Sequence, residues 1–164
     1  MHPGFEDYLH DESRKTGQAE HILFPKAENE VQNGLSSALV IRESITIQGA
    51  RTGITGGAVP AGGLILNLSR MDRLQGLRRS PDGTHYLLSV QPGVVLSTLR
   101  AHLQQRDFDL SCWGPGSLSV FELFKKEPPH FFTPDPTETT ATLGGMIACN
   151  ASGARSFLYG PTRR

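Results

Sequence analysis

The stretch Ile45-Thr46-Ile47-Gln48-Gly49-Ala50-Arg51-Thr52-Gly53-Ile54-Thr55-Gly56-Gly57-Ala58-Val59-Pro60 decides how the chain is read. Its first four residues place two β-branched isoleucines on one face, the pattern of a short strand. The strand runs straight into a loop of small residues. Such a loop lets several backbone N–H groups point into one concavity, a nest for anionic oxygens and for phosphate above all. Thr52 and Thr55 add hydroxyl donors, while Arg51 either adds charge or faces solvent. Two better-known phosphate loops fail here. The P-loop pattern needs a second glycine followed by lysine, but Ile54 stands at the glycine position and the loop has no lysine. The dinucleotide fingerprint needs Gly-x-Gly-x-x-Gly after a strand, and Arg51 stands where its second glycine belongs. A nucleotide loop of another kind remains, with a glycine-rich surface turn as the alternative.

Upstream, residues 21–25 form a short apolar run closed by Pro25, read as a first strand. Residues 28–42 carry Val31, Leu35, Ala38 and Leu39 at helical spacing, with Gly34 weakening the helix by about 1 kcal/mol relative to alanine. Residues 1–20 are polar and without periodicity, and are read as a flexible N-terminal arm ahead of a domain over 21–164. Downstream, residues 64–68 read as a third strand. Residues 74–79 and 86–90 read as a hairpin around Ser80-Pro81-Asp82-Gly83, a type I turn by its proline and glycine. Val95, Leu99 and Leu103 share a helical face, and no clear element is read over 107–126.

A second glycine cluster runs from Thr133-Pro134-Asp135-Pro136-Thr137 through Ala141-Thr142-Leu143-Gly144-Gly145 to Asn150-Ala151-Ser152-Gly153. Pro134 and Pro136 stiffen an extended approach. Thr142 is placed to cap a helix from Leu143 to about Asn150. Gly144 and Gly145 then fall in its first turn, where free N–H groups would favour an anion. An ordinary capped helix is the alternative.

The bulk composition excludes several classes. Lys+Arg and Asp+Glu are 16 each, so no basic footprint for nucleic acid exists. No apolar run approaches the ~20 residues of a membrane span, and the acidic start, with Glu6, Asp7, Asp11 and Glu12, is unlike a signal peptide. The expectation is a cytoplasmic protein, or one peripheral to a membrane through a partner. Cys112 and Cys149 form no paired motif, and the isolated histidines offer no metal pattern, so no metal is expected. No serine is flanked as Gly-x-Ser-x-Gly, and Trp113, Phe121, Phe124, Phe131 and Phe132 read as core.

Taken in order, the motifs resemble the FAD-binding domain of the vanillyl-alcohol oxidase and para-cresol methylhydroxylase superfamily. The matching stretches are 49–60, then Leu64-Ile65-Leu66-Asn67-Leu68-Ser69-Arg70-Met71, then Val90-Gln91-Pro92-Gly93-Val94, then Pro134-Asp135-Pro136-Thr137 with 141–145, then Tyr159-Gly160-Pro161-Thr162-Arg163. The wording is nearest to the FAD-linked 2-hydroxy-acid dehydrogenases of the glycolate oxidase and D-lactate dehydrogenase group. The resemblance implies an α+β fold in two subdomains, here the first βαβ subdomain and part of the second, with FAD between them. It implies that Gly49, Ala50, Arg51, Thr52, Gly53, Thr55 and Gly56 surround the pyrophosphate. It also implies that Pro134, Thr142, Gly144, Gly145, Ala148, Asn150 and Gly153 line the rest of the cofactor. Arg51 departs from the family, which often has glycine there.

Some family members attach FAD through a histidine in or near the first loop. None lies between Gly49 and Pro60, so non-covalent binding is expected. Family members continue well beyond the equivalent of Arg164, and their substrate groups lie mostly there, so no catalytic residue is named. The expected function is the FAD-binding module of an oxidoreductase passing hydride from a small hydroxy acid to the flavin. Two alternatives stand beside it: a non-catalytic remnant or subunit fragment that needs a partner chain to fold, and a phosphate-binding protein unrelated to flavin.

Overall fold

The computed structural model describes residues 4–134 and 136–163. Its first half is a parallel sheet of β1 (His21–Leu23), β2 (Ile45–Gln48) and β3 (Leu64–Asn67), in the order β1-β3-β2. Both outer strands start opposite Leu64, so Gln48 ends beside Asn67. β3 is central and buried along its whole length, which is why it reads as a continuous apolar run.

Parallel neighbours need long returns. The first return is α1 (Glu28–Val40), which buries Gly34 and Ala38. Leu39, counted into the apolar stripe from its spacing, points to solvent instead. Gly34 has a structural use that offsets its low helix propensity. A β-carbon there would stand 3.2 Å from Leu23 Cδ1, so glycine lets the helix lie close on the sheet. The second return, from β2 to β3, contains no helix. The glycine loop itself makes it, closing where Gly63 turns at φ 75° against Ser44 and Leu64 N–H donates to the Ser44 carbonyl at 2.9 Å.

The second half is an antiparallel hairpin of β4 (Leu74–Arg79) and β5 (Tyr86–Val90), followed by α2 (Leu96–Gln105), α3 (Pro115–Phe124), α4 (Leu143–Cys149) and the short α5 (Ser156–Tyr159). Its core gathers Leu74, Leu77, Val94, Leu96, Leu99, Phe108, Trp113, Phe121, Phe124, Leu143 and Met146. Burial of this apolar surface is the main stabilising term, at roughly 25 cal/mol per Å². α3 packs on β4. There the Trp113 indole N–H donates to the Leu74 carbonyl at 2.6 Å, beside the irregularity in β4 between Leu74 and Gly76. Trp113, Phe121 and Phe124 belong to this core, whereas Phe131 is about half exposed.

Residues 4–20 depart from the reading of a loose arm. A short 3₁₀ turn over Phe5–Leu9 leads into a compact turn closed by a bridge between His10 and Thr16. The segment then lies along the glycine loop. Gln18 N–H donates to the Pro60 carbonyl at 3.1 Å, Gly62 N–H returns to the Gln18 carbonyl at 2.7 Å, and Glu12 N–H donates to the Arg51 carbonyl at 3.3 Å. Because these are main-chain bonds to a distant loop, the local polarity of the segment carries no sign of them.

Candidate functional site

The loop 49–60 leaves the carboxyl end of β2, the end at which open parallel sheets bind ligands. Two buried amides hold its root. Gln48, 1% exposed, donates from Nε2 to the carbonyls of Tyr8 (2.8 Å) and Ala58 (2.7 Å), tying the arm and the far side of the loop together. Asn67 donates from Nδ2 to Gln48 Oε1 and to the Gly49 carbonyl, each at 3.3 Å, and accepts Ser69 N–H at 3.0 Å. The sequence reading gave these two residues no role. A usable signal was present: two amides closing adjacent parallel strands, in register, where the loop begins.

Beyond this root, the backbone N–H groups of residues 51–57 donate to no protein acceptor among the described residues. Gly53 faces open space, and Thr52 and Thr55 flank it in the same loop. Arg51 sits at φ 60°, in the left-handed region that glycine enters freely and other residues at a cost of roughly 1–2 kcal/mol. The Arg51 guanidinium lies 4.3 Å from the centroid of the Tyr8 ring, so its charge is stacked on the arm.

The arm's own contact to the loop is Asp11, which is 5% exposed. Its carboxylate accepts Ser13 N–H at 2.9 Å and Ala58 N–H at 3.4 Å. Burial pushes the Asp11 carboxyl up, but the bonds from Ser13 and Ala58 and the charge of Lys15 outweigh it and hold the group below the usual aspartate range. A depressed carboxylate stabilises the fold above its unfolded value, about 3.9, and the contribution is lost as pH falls through the folded value. At neutral pH the tie is therefore fully present. Asp11→Ala is expected to loosen the arm, and trypsin cleavage after Arg14 and Lys15 should accelerate severalfold over wild type. Unchanged cleavage would show that the carboxylate does not hold the arm.

The two glycine clusters, far apart in the chain, meet at one point. A β-carbon on Gly49 would stand well inside contact distance of Thr142 Oγ1 and 3.4 Å from Thr142 Cβ, so the loop root rests against the start of α4. Thr142 caps α4 as expected, accepting Gly145 N–H at 3.3 Å. The expectation of free N–H groups in the first turn of α4 is corrected. Leu143 N–H donates to the Val94 carbonyl at 2.8 Å and Gly144 N–H to the Pro92 carbonyl at 2.9 Å. Gly144 is small because Pro92 packs on it, 2.6 Å from where a β-carbon would be. The start of α4 is thus a structural joint, and the open donors lie in the first loop.

The remaining expected positions are linked elsewhere. Asn150 ends α4 at φ 49° and its side-chain oxygen accepts Arg163 N–H at 2.9 Å. Gly153 pairs with Pro136 and donates to Ser156 Oγ at 2.8 Å. Ala148 is exposed on α4 and Pro134 is half-buried. Asp135 lies outside the described residues. Two cavities lie away from the loop. One of about 1090 Å³ lies between β1 and α1, and one of about 620 Å³ runs beside β5. Both are mostly apolar, and neither is lined by loop residues. Among the described residues no group of three His, Cys, Asp or Glu side chains is placed to hold a metal ion. No helix there is long and apolar enough to cross a membrane.

A parallel βαβ sheet whose strand end opens into a glycine loop with unpaired N–H groups has the kind of backbone concavity that binds anionic oxygens such as phosphate. The model of the FAD binding domain family matches residues 19–120, and the chain belongs to that family. D-lactate dehydrogenase of Anaerostipes hadrus is 30% identical over 161 residues, covering 96% of this chain and 28% of that protein. A probable mitochondrial D-2-hydroxyglutarate dehydrogenase of Oryza sativa subsp. indica is 28% identical over 145 residues, covering 88% and 22%. Among solved structures, chitooligosaccharide oxidase superimposes with a TM-score of 0.66 at 18% identity, covering 99% of this chain and 29% of that one, a likeness of fold. The chain spans less than a third of the length of these relatives. The cofactor of the family is FAD, and the open glycine loop fits a diphosphate.

Proposed function

We propose that this chain is the cofactor-binding part of an FAD-linked oxidoreductase that oxidises a small 2-hydroxy acid of the glycolate or D-lactate type, with FAD held non-covalently. The observation that carries it is the row of unpartnered N–H groups over 51–57 at the carboxyl end of β2, with Gly49 seated against Thr142. These donors would hold the diphosphate in place by hydrogen bonds to anionic oxygens. Bound FAD supplies the hydride acceptor, and the protein's share is orientation and electrostatic tuning. The hydroxy-acid class is supported by the names of the curated relatives, D-lactate and D-2-hydroxyglutarate dehydrogenases. The absence of histidine between Gly49 and Pro60 supports the non-covalent form. Two exposed free thiols, Cys112 and Cys149, suit a reducing compartment such as the cytoplasm.

The test is the visible absorption spectrum of the purified chain after incubation with FAD and removal of the excess. Flavin bands should remain, and acid denaturation should release them into solution. Bands that stay with the precipitate would overturn the non-covalent reading. A second reading rests on the chain's coverage of only 28% of its relative: a subunit fragment or remnant that binds FAD only beside the rest of the fold. It predicts no retained flavin from the chain alone and retained flavin once the downstream sequence is supplied.

A further inference from the structure

The N-terminal turn over residues 10–16 brings a positive charge to the glycine loop that the loop itself does not present. Four observations place it. The turn is closed by the His10–Thr16 bridge and by Arg14 N–H donating to the Asp11 carbonyl at 3.2 Å. It is fastened to the loop by Glu12 N–H on the Arg51 carbonyl and by Ala58 N–H on Asp11. Its side chains reach over Gly56, because a β-carbon there would lie 3.3 Å from Lys15 Cδ, 3.7 Å from Lys15 Nζ and 3.6 Å from Ser13 Oγ. Gly56 itself is left-handed, at φ 83°, so the loop backbone turns beneath that ammonium.

The other cation at the loop, Arg51, is stacked on Tyr8. Among the described residues Lys15 makes no ion pair within 4.0 Å. The Lys15 charge also acts on Asp11, whose carboxylate already accepts two backbone N–H groups. A lysine ammonium beside Gly56, within the run of unpaired N–H groups, suits a doubly charged diphosphate, because each charge-assisted bond is about twice as strong as a neutral one.

We propose that Lys15 is a ligand of the cofactor's diphosphate, meeting it across Gly56 with Ser13 beside it. The N-terminal turn then forms one wall of the binding site. This rests on the FAD reading above. Lys15 is exposed and, among the described residues, makes no side-chain hydrogen bond or ion pair within 4.0 Å, and its charge acts on Asp11 only as one contribution beside the bonds from Ser13 and Ala58, so replacing it is expected to leave the fold intact.

The experiment measures the affinity of the full chain for three probes: FAD, ADP (a diphosphate without flavin) and riboflavin (a flavin without phosphate). Lys15→Gln should weaken FAD and ADP about tenfold, the order expected for loss of one charged hydrogen bond, and leave riboflavin unchanged. Lys15→Arg should recover most of the loss. Lys26→Gln, which removes the same charge from an exposed site away from the loop, should change nothing. Wild-type affinity for FAD in Lys15→Gln overturns this inference and leaves the FAD reading standing. Equal weakening of riboflavin, or weakening by Lys26→Gln, also overturns it. If the wild-type chain binds neither FAD nor ADP, the same probes are measured with the downstream sequence supplied, and absence of binding there overturns the FAD reading and this inference with it.

Discussion

Gly93→Ala is expected to melt far below the wild-type chain. Gly93 sits in the Val90-Gln91-Pro92-Gly93-Val94 segment, where the hairpin passes into α2. An added methyl would press on three main-chain oxygens at once: Leu68, inside contact distance, Met71 at 2.7 Å and Ser69 at 3.0 Å. None of these is a side chain that can rotate away. The Gly93 N–H also donates to the Met71 carbonyl at 2.7 Å, and Gln91 exchanges bonds with Arg73 through its N–H at 2.9 Å and its side chain at 3.0 Å. Relief of the clash therefore pulls apart the joint between the parallel sheet and the second core. Overpacking of this kind costs about 3 kcal/mol, which for a chain of this size lowers Tm by roughly 10 °C. Gly76→Ala is the control. Its methyl would meet Ser117 Oγ at 2.7 Å, a side chain free to turn, so its cost should stay below about 1 kcal/mol. Thermal unfolding followed by circular dichroism separates the two. A Gly93→Ala melt within a degree or two of wild type would mean that the joint is not rigid.

Legibility in the sequence tracked how local each signal was. β2 and both hairpin strands were readable to the residue, because isoleucine alternation and the Pro-Asp-Gly turn act over a few positions. α4 was readable for the same reason, through its Thr142 cap. α3 was missed. Its cap position is Gly114, whose lack of a polar side chain hides the start, and its burial through Phe121 and Phe124 depends on β4. Only Pro115 at the first helical position pointed to it. The order in residues 4–20 was invisible because Tyr8, Asp11 and Gln18 bond to partners at Gln48, Ala58, Pro60 and Gly62, which no local pattern encodes.

The site divides in the same way. The open N–H groups of the first loop follow from its run of small residues, since nothing nearby can compete for them. Whether the first turn of α4 is open could not be read, because the answer lies in Pro92 and Val94, on another segment. A glycine pair at a helix start has two physical uses, exposing donors or admitting a neighbour. At Gly144 the neighbour wins. The same ambiguity resolves at Gly49, where glycine admits Thr142, and this contact joins the two glycine clusters.

That contact yields the second large effect. Gly49→Ala should lose flavin affinity by more than about tenfold and cost roughly 2 kcal/mol of stability. The new methyl displaces Thr142 Oγ1, and the hydroxyl can escape only by leaving Gly145 N–H or by pushing α4 from the loop. Thr142→Ala alone should cost about 1 kcal/mol, the loss of a helix cap. The double variant is the informative one. With the hydroxyl gone, the nearest remaining atom is the β-carbon of position 142, 3.4 Å away, an ordinary contact. The double variant should therefore be more stable than the sum of the single losses predicts, by about 1 kcal/mol or more, as expected of residues in direct contact. It should also regain much of the flavin affinity lost in Gly49→Ala, because the loop returns to its seat. Strict additivity in denaturant unfolding would place the two residues out of contact and remove the basis for a single site built from both glycine clusters. Restored stability without restored flavin would keep the joint but assign Thr142 Oγ1 a direct part in holding the cofactor.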